Sequence, residues 1–596
     1  MFQTFEVTAR PEQGPPRLAA LRQEMTREGL DGFLVPRSDA HQGEYVAPHD
    51  ERLAWLTGFT GSAGFCAVLR DVAGVFVDGR YRTQVKAQVA EVFTPVPWPE
   101  VKLSGWLREK LPRGGRVGFD PWLHSAGEIR KLTKELDGSG IELSACENLV
   151  DRIWEDQPPP PMNPVRAHPI AFAGESSTSK RARLAEGLRK AGQRAAVLTL
   201  PDSIMWLLNI RGSDVAHNPV AHGFAVLHDT GAVDLFMAEA KLRGLGDHLG
   251  PEVTVRAPDD FLGALAVLEG PVLVDEDTVP QIVAQALGDR AVFGADPCLL
   301  PKARKNAAEI AGSAEAHLRD GAAMVEFLCW LDAQAPGSLT EIDVVKRLEE
   351  LRRRDDRLME ISFDTIAGTG PNGAVIHYRV TEDSNAVLED GHLLVLDSGG
   401  QYLDGTTDVT RTIAIGAPGE QERRAFTRVM QGMIAMSRLR WPRGLAGCHI
   451  EAIARVPLWQ AGQDFNHGLG HGVGAYLSVH EGPQRLSRLS DVPLEPGMIL
   501  SNEPGYYREG AFGIRIENLV VVEPAPDLPE GDAGREMLCW RTLTHVPIDR
   551  RLIVADMLTA AERDWLNAYH ATVAERIGPL VGGAAELWLN AATAPL

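Results

Sequence analysis

The chain has 596 residues, with 60 Lys plus Arg against 81 Asp plus Glu and a net charge of −21. Such an acidic balance excludes binding driven by counterion release, and with it nucleic acid as a main partner. Hydrophobic residues make up 44% and charged residues 24%, which excludes the disordered and fibrous classes, and at roughly 150 residues per domain the length predicts three to four folded domains. No apolar run reaches the roughly 18 residues of a membrane span. The start, MFQTFEVTARPEQGPP, carries no basic segment followed by an apolar one, so the expectation is a cytoplasmic protein that does not engage a membrane. The six cysteines (Cys66, Cys146, Cys298, Cys329, Cys448, Cys539) are scattered without CxxC pairs, which argues against a disulfide framework and a thiolate zinc site.

In chain order, a helical run at Arg17–Leu21 leads to a short apolar strand at Gly32–Pro36, then to Trp55-Leu and a Gly-containing loop. The same order recurs from Arg183–Leu188 through Ala196–Pro201 to Trp206-Leu, which predicts duplicated α/β domains. The first copy carries an extra segment, Ser38–Pro48, and specialised contacts accumulate in such insertions. Consecutive prolines in Asp156–Pro164 predict an extended connector. A weaker break falls at Asp296–Lys302. The expected domains are residues 1–157, 165–300 and 301–596.

The third segment opens with a long helical pattern, Asn306–Gln334, and a capping-box start at Thr340-Glu-Ile-Asp343. Apolar runs at Leu393–Leu396, Thr412–Ile415 and Ile514–Val522 are bounded by Gly, Asp and Pro and read as strands. This half is predicted to be α+β, with helices packed on a curved sheet.

The same segment gathers the chemistry. Asp397 and Asp408 lie eleven residues apart, each flanking a strand, so a hairpin could bring them face to face; alone, such aspartates are more often turn residues. His467-Gly-Leu-Gly-His471-Gly-Val-Gly, followed by His480, holds glycines at a density that suggests backbone brought close to a ligand. Glu503 and Glu517 stand in apolar company, where a carboxylate is costly to bury without a cation. Arg515 and Glu517 are two apart on an expected strand and so point the same way, which favours a ligand with its supporting cation over a simple salt bridge. Four carboxylates and one imidazole would neutralise two divalent cations, and oxygen-rich ligation suits Mn²⁺, with Co²⁺ or Zn²⁺ possible.

These five residues resemble the dinuclear site of the pita-bread metallopeptidases. Thr369–His377, His467–Gly474, Asn502–Tyr507 and Gly513–Asn518 are similar to the Xaa-Pro aminopeptidase (aminopeptidase P) family. Ser38–Gln42, Gly58–Gly64, Val77–Tyr81 and Asn209–Asp214 resemble the two amino-terminal domains of its long, cytosolic form. The resemblance implies two related creatinase-like α/β domains followed by a pita-bread catalytic domain with a carboxy-terminal extension. It implies that Asp408 and Glu517 bridge two metal ions, that Asp397 completes one site, and that His471 with Glu503 completes the other. It further implies that His377, His467 and His480 line the substrate cleft and that Arg80 reaches the peptide from the first domain. The implied reaction is release of the amino-terminal residue ahead of proline by attack of a metal-bridging hydroxide. His377 would stabilise the oxyanion, Glu503 would carry a proton and His480 would bond the peptide. A homodimer is implied as well. The alternatives are a prolidase sharing the same five ligands and a non-catalytic pita-bread module that binds peptide or histone.

Overall fold

The computed structural model describes residues 1–596. The chain forms two compact units: Thr8–Ile170 with Glu175–Leu299, and Leu300–Leu596 with Met1–Val7 and Ala171–Gly174.

The first unit contains two six-stranded sheets of one topology. Gly32–Pro36 pairs antiparallel with Phe65–Leu69 on one side and parallel with Gly115–Phe119 on the other. Ala195–Leu198 does the same between Phe224–His228 and Val272–Val274. Both sheets then extend by an antiparallel and a parallel partner on one side and a parallel partner on the other. The duplication read from the order of helix, strand and Trp-Leu is therefore present strand for strand. Trp55 and Trp206 each ride a short helix, Arg52–Thr57 and Pro201–Leu208. No helix is long and apolar enough to cross a membrane.

The second unit opens with the helix Ala307–Asp332, whose cap Asn306 accepts from the Glu309 N–H while Glu309 returns the bond. Thr340 and Asp343 make the expected capping box on the helix Glu341–Arg352. Ile366–Thr369, Leu393–Ser398 and Val409–Ala414 form an antiparallel three-stranded sheet. A six-stranded sheet includes Gly470–Gly472, Glu481–Leu486, Ile499–Asn502 and Asn518–Pro524. The helices Glu420–Ser437, Ala452–Trp459 and Ala560–Ile577 bury Met430, Met433, Leu458, Leu566 and Val573 in a common core with Leu500, Val520 and Val522 of that sheet. Side chains of this size contribute roughly 1.5–3 kcal/mol each on burial.

One expected strand is broken. Ile514–Val522 divides into Phe512–Arg515, which pairs with Gly505–Arg508, and Asn518–Pro524, which joins the six-stranded sheet. Between them the Ile516 N–H donates to the Pro504 carbonyl and the Glu517 N–H to the Thr410 carbonyl. The chain changes partners at Ile516–Glu517, so Glu517 leaves strand geometry where its side chain is needed.

Candidate metal centre

Sheet register sets the site. Asp397 lies opposite Thr410, and Ser398 opposite Val409, so Asp408 precedes its strand beside the end of the strand that carries Asp397. The hairpin expectation holds, with Gly400–Tyr402 and Gly405–Thr406 filling the connection. Glu517 is brought in by its backbone bond to Thr410, and the Thr410 hydroxyl donates to Glu517 Oε2 at 2.8 Å. His471 occupies the strand Gly470–Gly472, and Glu503 follows the strand Ile499–Asn502. The His471 N–H donates to Ser501 Oγ at 2.9 Å, and that hydroxyl lies 3.2 Å from Glu503 Oε1.

The flanking glycines have a different cause from the one the sequence suggested. A Cβ on Gly470 would stand 2.0 Å from the Ser501 carbonyl oxygen, and one on Gly472 would stand 2.3 Å from the Glu481 oxygen. Close approach of neighbouring strands, rather than of a ligand, requires glycine here.

Ligand-type atoms of Asp408, His471 and Glu517 all lie within 4.8 Å of one another. His471 Nε2 is 3.5 Å from Asp408 Oδ2 and 3.5 Å from Glu503 Oε1. With Nδ1 2.9 Å from the Gly472 carbonyl, the proton belongs on Nδ1 and the Nε2 lone pair faces the carboxylates. Asp397 Oδ2 accepts from Arg515 Nη2 at 2.6 Å and Nε at 3.1 Å, while Oδ1 of both Asp397 and Asp408 is buried without a partner.

The electrostatics are one-sided. Of the nearby guanidinia only that of Arg515 bonds one of the four carboxylates; Arg352 and Arg411 act on Asp408 and Glu517 through space. Burial, with the Asp397 and Glu503 charges, pushes the Asp408 carboxyl well above the usual range. Burial, with Asp408 and Asp397, does the same to Glu517. Burial, then the Glu517 charge, raises Glu503 to about 7. Buried excess negative charge with orphaned oxygens is unfavourable unless cations enter. The donor set fits two divalent ions of the oxygen-preferring kind, with one nitrogen.

Of the other expected residues, His480 packs its ring edge-on against His471, centroids 4.2 Å apart. His467 Nε2 is 3.0 Å from Tyr507 Oη, which accepts from Arg515 Nη1 at 2.7 Å. The Ile376 carbonyl, next to His377, accepts from Arg515 Nη1 at 3.3 Å. Arg515 therefore supports Asp397, Tyr507 and the His377 segment. Its link to Glu517 runs through Thr410, whose hydroxyl accepts from Arg515 Nε at 3.3 Å and donates to Glu517 Oε2 at 2.8 Å. Tyr507 was missed as a site residue; its only sequence signal is its place in Glu503-Pro-Gly-Tyr-Tyr507. Arg80 belongs to the other unit, where Asp78 grips its guanidinium, with Nη2 2.7 Å from Oδ2.

Comparison with known proteins matches residues 311–524 to metallopeptidase family M24 and residues 536–596 to the C-terminal region of that peptidase. Residues 17–153 and 156–309 each match the creatinase/prolidase N-terminal domain. The chain is 38% identical to aminopeptidase P2 of Arabidopsis thaliana over 614 residues, covering 95% of this chain and 86% of that protein. It is 38% identical to a probable Xaa-Pro aminopeptidase P of Talaromyces marneffei, over 94% of this chain and 89% of that one. The crystal structure of the X-prolyl aminopeptidase of Caenorhabditis elegans, described as a cytosolic enzyme with a di-nuclear active site, superposes with a TM-score of 0.93 at 31% identity, over 98% of this chain and all of that one. With its two creatinase-like amino-terminal domains and a buried carboxylate–imidazole cluster in the pita-bread domain, the chain belongs to metallopeptidase family M24.

Proposed function

We propose that this protein is a metal-dependent Xaa-Pro aminopeptidase, releasing the first residue of peptides that carry proline second. The observation that carries the reading is the convergence of Asp397, Asp408, His471, Glu503 and Glu517, from strands and from the turns at strand ends, onto one largely buried, negatively overcharged place. Those five would hold two divalent cations, Asp397 with Asp408 and Glu517 serving one and His471 and Glu503 with Asp408 and Glu517 serving the other. When bound, the two cations supply Lewis acidity toward a carbonyl and lower the pKa of water at the site.

The chain's own residues do the rest. Glu503, at the edge of the cluster, takes the proton of the attacking water and passes it to the departing imide nitrogen. An amide nitrogen leaves only when it is protonated, and proline's, which has no N–H of its own to donate, then departs as a secondary amine. His377 donates to the oxygen on which charge develops. His480 and His467 bond the peptide, with His467 held by the Tyr507–Arg515 chain, and Arg80 contributes to substrate binding.

The oxygen-rich donor set favours Mn²⁺ over Co²⁺ or Zn²⁺. A homodimer, a cytoplasmic location and domain limits at 1–157, 165–300 and 301–596 complete the proposal. Likeness to a relative described as cytosolic supports the location. The test is metal analysis of the purified protein paired with turnover of an Xaa-Pro-Pro peptide against the dipeptide Gly-Pro. Two ions and preference for the longer peptide are expected; dominant dipeptide turnover would make it a prolidase, and turnover of neither with Mn²⁺ added would sink the reading.

A further inference from the structure

Glu341, the first residue of the helix Glu341–Arg352, is fully buried. It lies outside the carboxylate cluster, and its own carboxylate meets only donors. Oε1 accepts from the Thr369 N–H at 2.8 Å and from Asn372 Nδ2 at 3.0 Å. Oε2 accepts from Tyr378 Oη at 2.8 Å and from the Ala386 N–H at 3.1 Å. Four donors match the four lone-pair directions of an ionised carboxylate, and the helix N-terminus favours its charge.

The donors bracket one loop. Thr369 ends the strand Ile366–Thr369, Asn372 sits in the turn Gly370–Ala374, and Tyr378 directly follows His377. Asn372 Nδ2 also lies 2.9 Å from Tyr378 Oη, so the two ends of the loop are tied to each other as well as to Glu341. On the other flank of His377, the Ile376 carbonyl is held by Arg515, which also holds Asp397. The residues before and after His377 are thus pinned separately, one by a cation of the cluster and one by a buried anion outside it. A glutamine at 341 would turn its NH₂ group toward either the Thr369 or the Ala386 N–H. Neither backbone donor can rotate away, so a buried donor would be left facing a donor.

We propose that Glu341 is a positioning residue for His377, clamping the loop from Thr369 to Ala386 so that the imidazole is set at the reacting carbonyl. The proposal rests on the reading of His377 given above. The test compares Glu341→Gln, His377→Ala and the double variant in the full-length, metal-loaded protein on an Xaa-Pro-Pro peptide, with metal content measured for each. Glu341→Gln is expected to keep two ions and to lower kcat about tenfold or more with KM changed less than about twofold, and to cause no further loss once His377 is alanine. Should Glu341→Gln not fold, Tyr378→Phe removes one donor without touching the charge and is expected to show a smaller kcat loss, again absent in the His377→Ala background. Normal kcat in Glu341→Gln, or the same fold-loss repeated without His377, would overturn the clamp. Wild-type kcat in His377→Ala would instead overturn the role of His377 itself, and the clamp with it.

Discussion

Replacing Glu503 by glutamine isolates the cost of an acid held without its cation. Burial and the Glu517 charge raise its carboxyl from 4.5 to about 7. A folded-state value above the unfolded one means that the folded protein binds the proton more tightly. The stability that Glu503 contributes is then fully present below about pH 4.5 and is lost as pH rises through 7. The gap between 4.5 and about 7 corresponds to roughly 3 kcal/mol lost by the metal-stripped protein at pH 8. Glutamine fills the same space without charge, so the stripped Glu503→Gln protein is expected to melt roughly 3–5 °C above stripped wild type at pH 8. At pH 4 the two should melt together. With Mn²⁺ added the order should reverse, because wild type gains a ligand charge that the variant lacks. Calorimetry after chelator treatment, across pH 4 to 8 with and without Mn²⁺, reads all three. Equal or lower stability of the stripped variant at pH 8 would refute the uncompensated buried charge and with it the electrostatic case for cations.

Three further outcomes are expected. Asp408→Ala or Glu517→Ala should abolish activity and reduce bound metal below two per chain, because each removes a shared ligand; near-normal turnover in either would refute the dinuclear site. His570 is fully buried and its Nε2 accepts from the Ile548 N–H at 3.1 Å; burial, with Arg411 and Arg550, lowers its pKa to about 4. Between pH 6.5 and 4 the unfolded chain takes a proton that the folded one refuses, so roughly 3 kcal/mol is lost as pH falls through that window. Urea unfolding of His570→Gln should lose that much less on acidification, and an identical loss in both proteins would contradict it. Gly470→Ala must force the strand backbone away from the Ser501 carbonyl and should destabilise by about 2 kcal/mol or more, displacing His471; unchanged stability and metal content would show that the strands can part.

Much of the centre was legible because its information is local. The capping box at Thr340 acts within one turn, and the duplicated helix–strand–Trp order repeats within a short stretch, so both could be read without tertiary knowledge. The types of donor and their order along the chain pointed to two oxygen-preferring cations for the same reason: carboxylates among apolar neighbours are anomalous wherever they meet.

By itself, then, the sequence determined which chemistry the chain could perform, the excess of negative charge and the starts of its helices. Only the tertiary structure decided who meets whom. Arg515 binds Asp397 across 118 positions, and the strand break at Ile516–Glu517 sends Glu517 to Thr410 instead. Met1–Val7 joins the catalytic unit, where the Phe2 N–H donates to Glu349 and the Gln3 amide bonds the backbone N–H and C=O of Thr365. Glu341 gathers donors up to 45 positions away. Such pairings depend on sheet register and on which polar groups are left to satisfy once apolar faces have packed. A periodic pattern along the chain carries no record of either.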